Sequence, residues 1–255
     1  MDSTVWLALI FTLAGAAVGS FLNVCIYRIP EGGSIVSPPS RCPHCGHPIR
    51  VRDNIPVISW LLLGAKCRDC RAGISFRYPL VEIATAAAAW LLFLRYGLTP
   101  AYPVVFLFVC TLIVITGIDL DHQIIPHVLT LSGIPLFAVL SVWFMEIAPL
   151  DAFLGIMIGA GVLYFVAVYY EALTGREGMG GGDVNLLAML GGFLGWKAIP
   201  FILLASSFIG AVVGLLIVLA RGKDMRYAVP FGPFLCGAAA LYLFCGEALI
   251  GWLPF

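Results

Sequence analysis

Two cysteine pairs of identical spacing stand in one short stretch of the chain: Cys42-Pro43-His44-Cys45 and Cys67-Arg68-Asp69-Cys70, with 21 residues between them. A C-x2-C knuckle aims two thiolates at one point, and two knuckles complete a tetrahedral four-sulfur site of the kind that suits Zn2+. Disulfides and an iron–sulfur cluster are the competing chemistries for the same four residues. His44 and His47 could stand in for a thiolate, but four cysteines suffice and the histidines read as bystanders.

A second chemistry is open to two carboxylates. Asp119 closes an apolar run in Thr116-Gly117-Ile118-Asp119-Leu120-Asp121-His122, and Asp183 opens another after Gly180-Gly181-Gly182, 64 positions later. Ionisable groups at membrane depth are costly and mark function by default. Two carboxylates in contact do not readily both ionise. They share a proton, so one serves as base and the other as acid toward a water held between them. The glycine run before Asp183 lets backbone approach closely, as an extended peptide substrate requires. Three other readings stay open on these residues: Asp183 as a helix N-cap, Asp121 in place of Asp119, and Asp119, Asp121, His122 and His127 as a metal or proton-relay cluster.

Composition dictates the elements that must position these groups. The AVILMFWYC set makes up 61% of the 255 residues and charged residues 11%, with a mean hydropathy of +1.02. A water-soluble globule of this size could not hide so much apolar side chain, and a disordered chain needs the opposite composition. The net charge of zero offers no case for a nucleic-acid partner. Apolar stretches near the ~20 residues that cross a bilayer as helix fall at 5–27, 79–94, 102–118, 128–147, 152–173, 184–194, 198–220 and 229–253. They are too continuously apolar for barrel strands, which alternate. The sixth, short and rich in glycine (Gly191, Gly192, Gly195), is expected to be a half-span or a tilted, tightly packed helix. Ala16, Ala17, Gly19 and Ser20 resemble a signal-peptide cleavage region, but no basic segment precedes the apolar run, so a retained span is expected.

Basic residues then orient the chain. Eight Lys/Arg lie from Arg28 to Arg77, and Arg176, Arg221, Lys223 and Arg226 follow. These fall on one side of an eight-span arrangement, leaving Arg95 and Lys197 on the other, so that side is expected to be cytoplasmic. Thiols are kept reduced there, which favours metal over disulfides. The segment 29–78 is too short to build its own hydrophobic core, so a metal would supply much of its folding free energy. Cys25, Cys110, Cys236 and Cys245 sit in apolar spans and read as buried packing residues. The expected fold is an all-α polytopic membrane protein of about eight transmembrane helices, with a zinc-ribbon-like loop between the first two. It divides into a first helix (1–28), a cytoplasmic zinc-binding loop (29–78) and a helical core (79–255).

Beyond this, the text of the chain resembles a known family. Gly19-Ser20-Phe21-Leu22-Asn23-Val24-Cys25-Ile26-Tyr27-Arg28-Ile29-Pro30 looks like the N-terminal signature of bacterial prepilin peptidases. Collinear matches follow: Pro39-Ser40-Arg41-Cys42, Asp53-Asn54-Ile55-Pro56, Arg77-Tyr78-Pro79-Leu80-Val81-Glu82, Ile125-Pro126, Gly180 to Gly191, and Pro230-Phe231-Gly232-Pro233-Phe234. The resemblance implies an intramembrane aspartyl protease of the GxGD type. Such an enzyme removes the short basic leader from type IV prepilins and from pseudopilins of type II secretion, at the cytoplasmic face of the bacterial inner membrane. It places the catalytic aspartates at Asp119 and Asp183, a choice over Asp121 that rests on analogy. It also implies N-methylation of the newly exposed amine with S-adenosylmethionine. No glycine-rich Rossmann signature marks a site for that donor; the zinc loop and Glu82, which could hold the amine, are the candidates. One departure is visible: the family usually has Lys two residues after the second aspartate, and here the position is Asn185. The competing classes are an ion-coupled transporter and a non-catalytic scaffold of pilus assembly. Placement of both aspartates at helix ends rather than mid-membrane speaks against the first, and the presence of both against the second.

Overall fold

The computed structural model describes residues 3–176, 178–221 and 229–250. Lys223 and Arg226, used above for orientation, and residues 251–253 of the last predicted span lie outside them. Among the described residues the regular elements are helices, α1 (Ser3–Arg28), α2 (Ile58–Leu62), α3 (Arg77–Tyr96), α4 (Ala101–His122), α5 (His127–Phe144), α6 (Pro149–Thr174), α7 (Gly181–Leu194), α8 (Ala198–Arg221) and α9 (Gly232–Ile250), and the segment between α1 and α3 is mostly turns with two isolated bridges. Six of these are long and apolar enough to cross a bilayer: α1, α3, α4, α5, α6 and α8. The sixth and eighth predicted segments form α7 and α9, whose apolar lengths are shorter. At ~1.5 Å rise per residue, the 14 residues of α7 cover about 21 Å, less than the ~30 Å hydrocarbon core. Helix α2, inside the polar segment, had no counterpart among the predicted spans. The chain forms two compact units, Met1–Val114 and Ile115–Phe255, whose boundary falls within α4.

In the first unit α1 packs on α3 through small residues. A Cβ on Gly15 would lie 2.5 Å from Ala89 Cβ, and one on Gly19 2.7 Å from Glu82 Cα. Glycines four apart on one helix face let two backbones close together in a lipid environment, where van der Waals contact rather than water exclusion drives association. Gly19, one of the small residues that resembled a cleavage region, is thus a packing residue of a helix. Asn23, buried at 3% exposure, donates its amide to the Tyr78 carbonyl at 3.1 Å and ties the foot of α1 to the entry of α3.

In the second unit α7 is the enclosed element. Every residue from Leu186 to Phe193 is buried, so no face is left to be polar, which explains the continuous apolar run. Gly191 meets the backbone of Gly155 on α6, and Gly159 meets the Leu187 carbonyl, at separations that leave no room for a side chain. On the α5 side, the Ser141 hydroxyl donates to the Gly192 carbonyl at 3.0 Å. The short sixth segment is therefore a tightly packed helix, held on two sides, and its first turn carries Asp183.

Candidate active site and cysteine cluster

The four cysteines converge. Each residue among Cys42, Cys45, Cys67 and Cys70 offers a sulfur, and the four lie within 4.8 Å of one another. Cys42 Sγ and Cys70 Sγ are 3.8 Å apart. A tetrahedron with ~2.3 Å metal–sulfur bonds has edges of about 3.8 Å, the separation of Cys42 and Cys70, so the four sulfurs are grouped closely enough to hold a metal ion. None of the four is in a disulfide, and among the described residues no other group of His, Cys, Asp and Glu converges in this way. The two knuckles repeat one backbone design. The N–H of Cys42 donates to the His47 carbonyl and that of Cys67 to the Ala72 carbonyl, at 2.9 and 2.8 Å. Four residues after the first cysteine of each knuckle the chain turns left-handed, at Gly46 (φ 69) and Arg71 (φ 60). The Cys45 backbone N–H, more than that of His44, pulls the Cys42 thiol down to about 7, while against the His47 backbone N–H desolvation and the neighbouring Cys42 push Cys45 up to about 12. The second knuckle is also clamped laterally. Arg68 grips Asp53 with both its Nε and Nη2, the latter at 2.6 Å, and holds that carboxyl below the usual range.

The carboxylates come together in the second unit. Asp119 lies in the last turn of α4 and is 4% exposed. Helix α4 stops there because Gln123 takes a left-handed φ of 54 and Pro126 cannot continue it. Asp121, two residues on, is exposed. Asp183 lies in the first turn of α7, with Gly180 at the N-cap position, so the N-cap reading of Asp183 is corrected. Its Oδ1 is buried and has no hydrogen-bond partner. Asp119 and Asp183 interact electrostatically, and both act on the buried Cys236, whose thiol is hydrogen-bonded to Thr116.

What orients Asp119 is a backbone group. The N–H of Gly232, the first residue of α9, donates to Asp119 Oδ2 at 3.0 Å. Helix-first-turn N–H groups have no intrahelical acceptor, so this one is free to serve a carboxylate. The absence of a side chain is required: a Cβ on Gly232 would stand 2.6 Å from Oδ2. Ile125, from the α4–α5 turn, sits between the two glycine-bearing helix starts; a Cβ on Gly182 would be 2.8 Å from its Cβ, and one on Gly232 3.1 Å from its Cδ1. The glycine run before Asp183 is thus used for one close approach, at Gly182, while Gly181 has open space. Gly232 and Ile125 stand within sequence blocks quoted above, but nothing in their residue types pointed to a chemical role.

The other polar candidates part from this centre. His122 and His127 are exposed, and His127 Nδ1 pairs with the Asn185 side-chain amide at 3.1 Å; among the described residues Asp119, Asp121, His122 and His127 do not converge as a metal site. Cys25, Cys110 and Cys236 are buried as expected. Cys245 is exposed, a correction, because it lies on an outward face of α9. Glu82 is in the first unit, 8% exposed. Its carboxylate accepts the Val57 N–H at 2.7 Å and the Ser20 hydroxyl.

Comparison with known proteins bears on the whole chain. Residues 13–96 match the Bacterial Peptidase A24 N-terminal domain, and residues 106–215 the Type IV leader peptidase family. The chain is 39% identical to the prepilin leader peptidase/N-methyltransferase of Aeromonas salmonicida, over 97% of its own length and 94% of the relative's. It belongs to the type IV leader peptidase family. The homologous enzyme of Pseudomonas aeruginosa is 36% identical over 93% of this chain and 90% of the relative, and that of Myxococcus xanthus 43% identical over 85% and 64%. No solved structure matches. Membership in the leader peptidase family accords with the multi-helix membrane architecture and the metal-competent cysteines.

Proposed function

We propose that this chain is the membrane enzyme that cleaves the short basic leader from prepilins and pseudopilins and N-methylates the residue so exposed. The observation that carries the protease chemistry is the asymmetric pair in the second unit. Asp119 is buried and held through one oxygen by the Gly232 N–H, and Asp183 presents a buried, unpartnered oxygen. A water between them attacks the scissile carbonyl carbon and gives its proton to Asp119, whose charge the N–H supports. Asp183, carrying the shared proton, passes it to the carbonyl oxygen. In the second half the C–N bond breaks, the leaving nitrogen takes the proton from Asp119, and the hydrated carbon returns one to Asp183. The products are a free carboxyl and a free amine, and the pair is reset.

The placement of the chain follows from charge. The loop 29–78 and the carboxylates face the cytoplasm of a bacterial inner membrane, eight apolar helices cross or enter the bilayer, and 79–255 carries the protease core. A prepilin with a basic leader ahead of an apolar helix then brings its scissile bond to the cytoplasmic boundary. The four sulfurs are the natural ligands of a structural Zn2+, which would cross-link two knuckles that lack a core of their own. We expect about one zinc per chain from metal analysis of protein purified under reducing, chelator-free conditions. Cys42→Ser or Cys67→Ser should lose it; a metal-free wild type would return the cysteines to the unligated state.

S-adenosylmethionine, when bound, supplies an electrophilic methyl group. Glu82 is the candidate for holding the receiving amine. A carboxylate has about four acceptor positions, of which Val57 and Ser20 occupy two. Ser20 also lines a polar cavity of about 270 Å3 together with Arg28, Ser40 and Asn54. Because methyl transfer needs no carboxylate pair, the two activities should separate. Asp183→Asn is expected to methylate a pre-cleaved pilin peptide within about tenfold of wild type, or ~1.4 kcal/mol of barrier. Mass analysis showing no added methyl group, with the variant folded, would mean the aspartates serve both reactions. The overall assignment is tested by incubating the purified protein with a prepilin and S-adenosylmethionine. Intact masses should report loss of the leader and gain of one methyl group; unchanged substrate would reject it.

A further inference from the structure

Nine residues inside the otherwise polar segment carry no charge: Ile55-Pro56-Val57-Ile58-Ser59-Trp60-Leu61-Leu62-Leu63. They hold helix α2, and its two sides are unlike. Inward, the Ser59 hydroxyl accepts the Ile55 N–H and donates to the Arg52 carbonyl, both at 3.0 Å. The Trp60 indole N–H donates to the Ile74 carbonyl at 3.1 Å, and its ring meets Phe76 edge-on. These bonds fix the polar side of α2 against the cysteine subdomain. Outward, Ile58, Leu61 and Leu62 are 53%, 64% and 81% exposed. Single exposed apolar residues are ordinary, but an isoleucine and two leucines exposed within one five-residue helix form a patch that needs a partner.

The height of this patch along the membrane helices identifies that partner. Val57, directly before α2, has its N–H on the carboxylate of Glu82 at 2.7 Å, and it adopts a left-handed φ of 61, unfavourable for a β-branched residue, to do so. Glu82 lies five residues into α3, about 7.5 Å along its axis from Arg77. Val57 also joins Leu9, Ile83, Ala86, Trp90 and Leu94 in lining one apolar groove. Leu9, Ile83, Trp90 and Leu94 belong to the candidate spans α1 and α3 and are themselves turned outward, at 45–56% exposure. Val57, the residue before the α2 patch, thus joins it to the outward apolar surface of the candidate spans near the start of α3, the level at which interfacial helices lie. Asp53 and Asp69, the acidic residues of the flanking segments, are paired with Arg68 and Arg50, while Arg52, Lys66 and Arg71 are exposed there and suit anionic headgroups.

We propose that Ile58–Leu62 is an interfacial wedge, seated in the headgroup–acyl boundary of the bilayer beside α1 and α3, so that the cysteine subdomain is docked on lipid as well as tethered by its two chain ends. The inference is independent of the roles given to Asp119 and Asp183.

The test uses full-length protein in nanodiscs of zwitterionic and anionic phospholipid. The photo-crosslinker p-benzoylphenylalanine is placed at Leu61 or Leu62 and, as a control, at exposed His47. Intact mass analysis after irradiation should show phospholipid adducts at 61 and 62 and none at 47. In parallel, the double variant Leu61→Glu/Leu62→Glu should speed amide hydrogen exchange across 55–63 by about tenfold, the mark of a segment that has lost its seat. Its zinc content and the exchange of α3 should stay unchanged. Absence of lipid adducts at both positions would overturn the proposal. So would a lipid adduct that is replaced by a prepilin adduct when prepilin is added, because the patch would then be a groove for the substrate's apolar helix.

Discussion

Asp119→Asn and Asp183→Asn should each reduce leader cleavage by at least about four orders of magnitude, since an amide has the shape of the acid but cannot cycle a proton. Alanine should be no milder. The structure gives each residue a distinct reason for that loss. Asp119 is 4% exposed and already gives one oxygen to the Gly232 N–H, so water has only the other to approach. Asp183 has a buried oxygen with no partner at all, an arrangement that costs stability unless function uses it. Asp121→Ala is the matched control: its side chain is exposed, and cleavage should stay within a few-fold of wild type. Purified variants assayed on a prepilin by gel shift or mass decide the matter. Ordinary cleavage by either asparagine variant would remove the pair from the reaction.

The second large effect is expected from a residue without a side chain. Gly232→Ala places a methyl group 2.6 Å from Asp119 Oδ2 and 3.3 Å from its Cγ, closer than such atoms tolerate. The carboxylate must turn or α9 must retreat, and either movement breaks the 3.0 Å N–H bond. Losing that bond lets the Asp119 carboxylate leave its working orientation, and misplacing a reacting group by about 1 Å costs on the order of 10²-fold in rate; we expect a loss of kcat of that size here. KM should change little, because the apolar helix and basic leader of the substrate are bound by other groups. Gly237→Ala supplies the comparison on the same helix: nothing lies within 4 Å of its added Cβ, and it should behave as wild type. Equal kcat for both alanine variants would deny Gly232 its positioning role. A rise in KM alone would make it a substrate-packing residue instead.

Much of this protein is written locally. The cysteine cluster is two short knuckles, each a few residues long, and the convergence of their sulfurs needs little beyond C-x2-C twice. The apolar runs that became α1, α3, α4, α5, α6 and α8 were legible for the same reason, since a helix closes its own backbone hydrogen bonds and needs only length and composition to suit a bilayer. Family membership, too, was carried by collinear short blocks. Helix α2 was missed because its apolar run is far below span length and sits among charges.

The choice between Asp119 and Asp121 shows where local information stops. Two residues apart on a helix of ~100° per residue, they point about 200° away from each other. Both end the same apolar run, and only the packing of α4 turns one inward and the other out. Asp183 could equally have capped its own helix. Its burial comes with α7, which is clasped backbone-to-backbone through Gly155, Gly159 and Gly191. The donor on Asp119 comes from a glycine 113 positions away, and a main-chain N–H is common to every residue but proline, so residue type cannot announce it. Sequence alone determined which groups were available for chemistry, the cysteines in a polar segment and the carboxylates at the ends of apolar helices. Tertiary structure decided which of them meet, because burial and backbone donation depend on which faces the neighbouring helices cover.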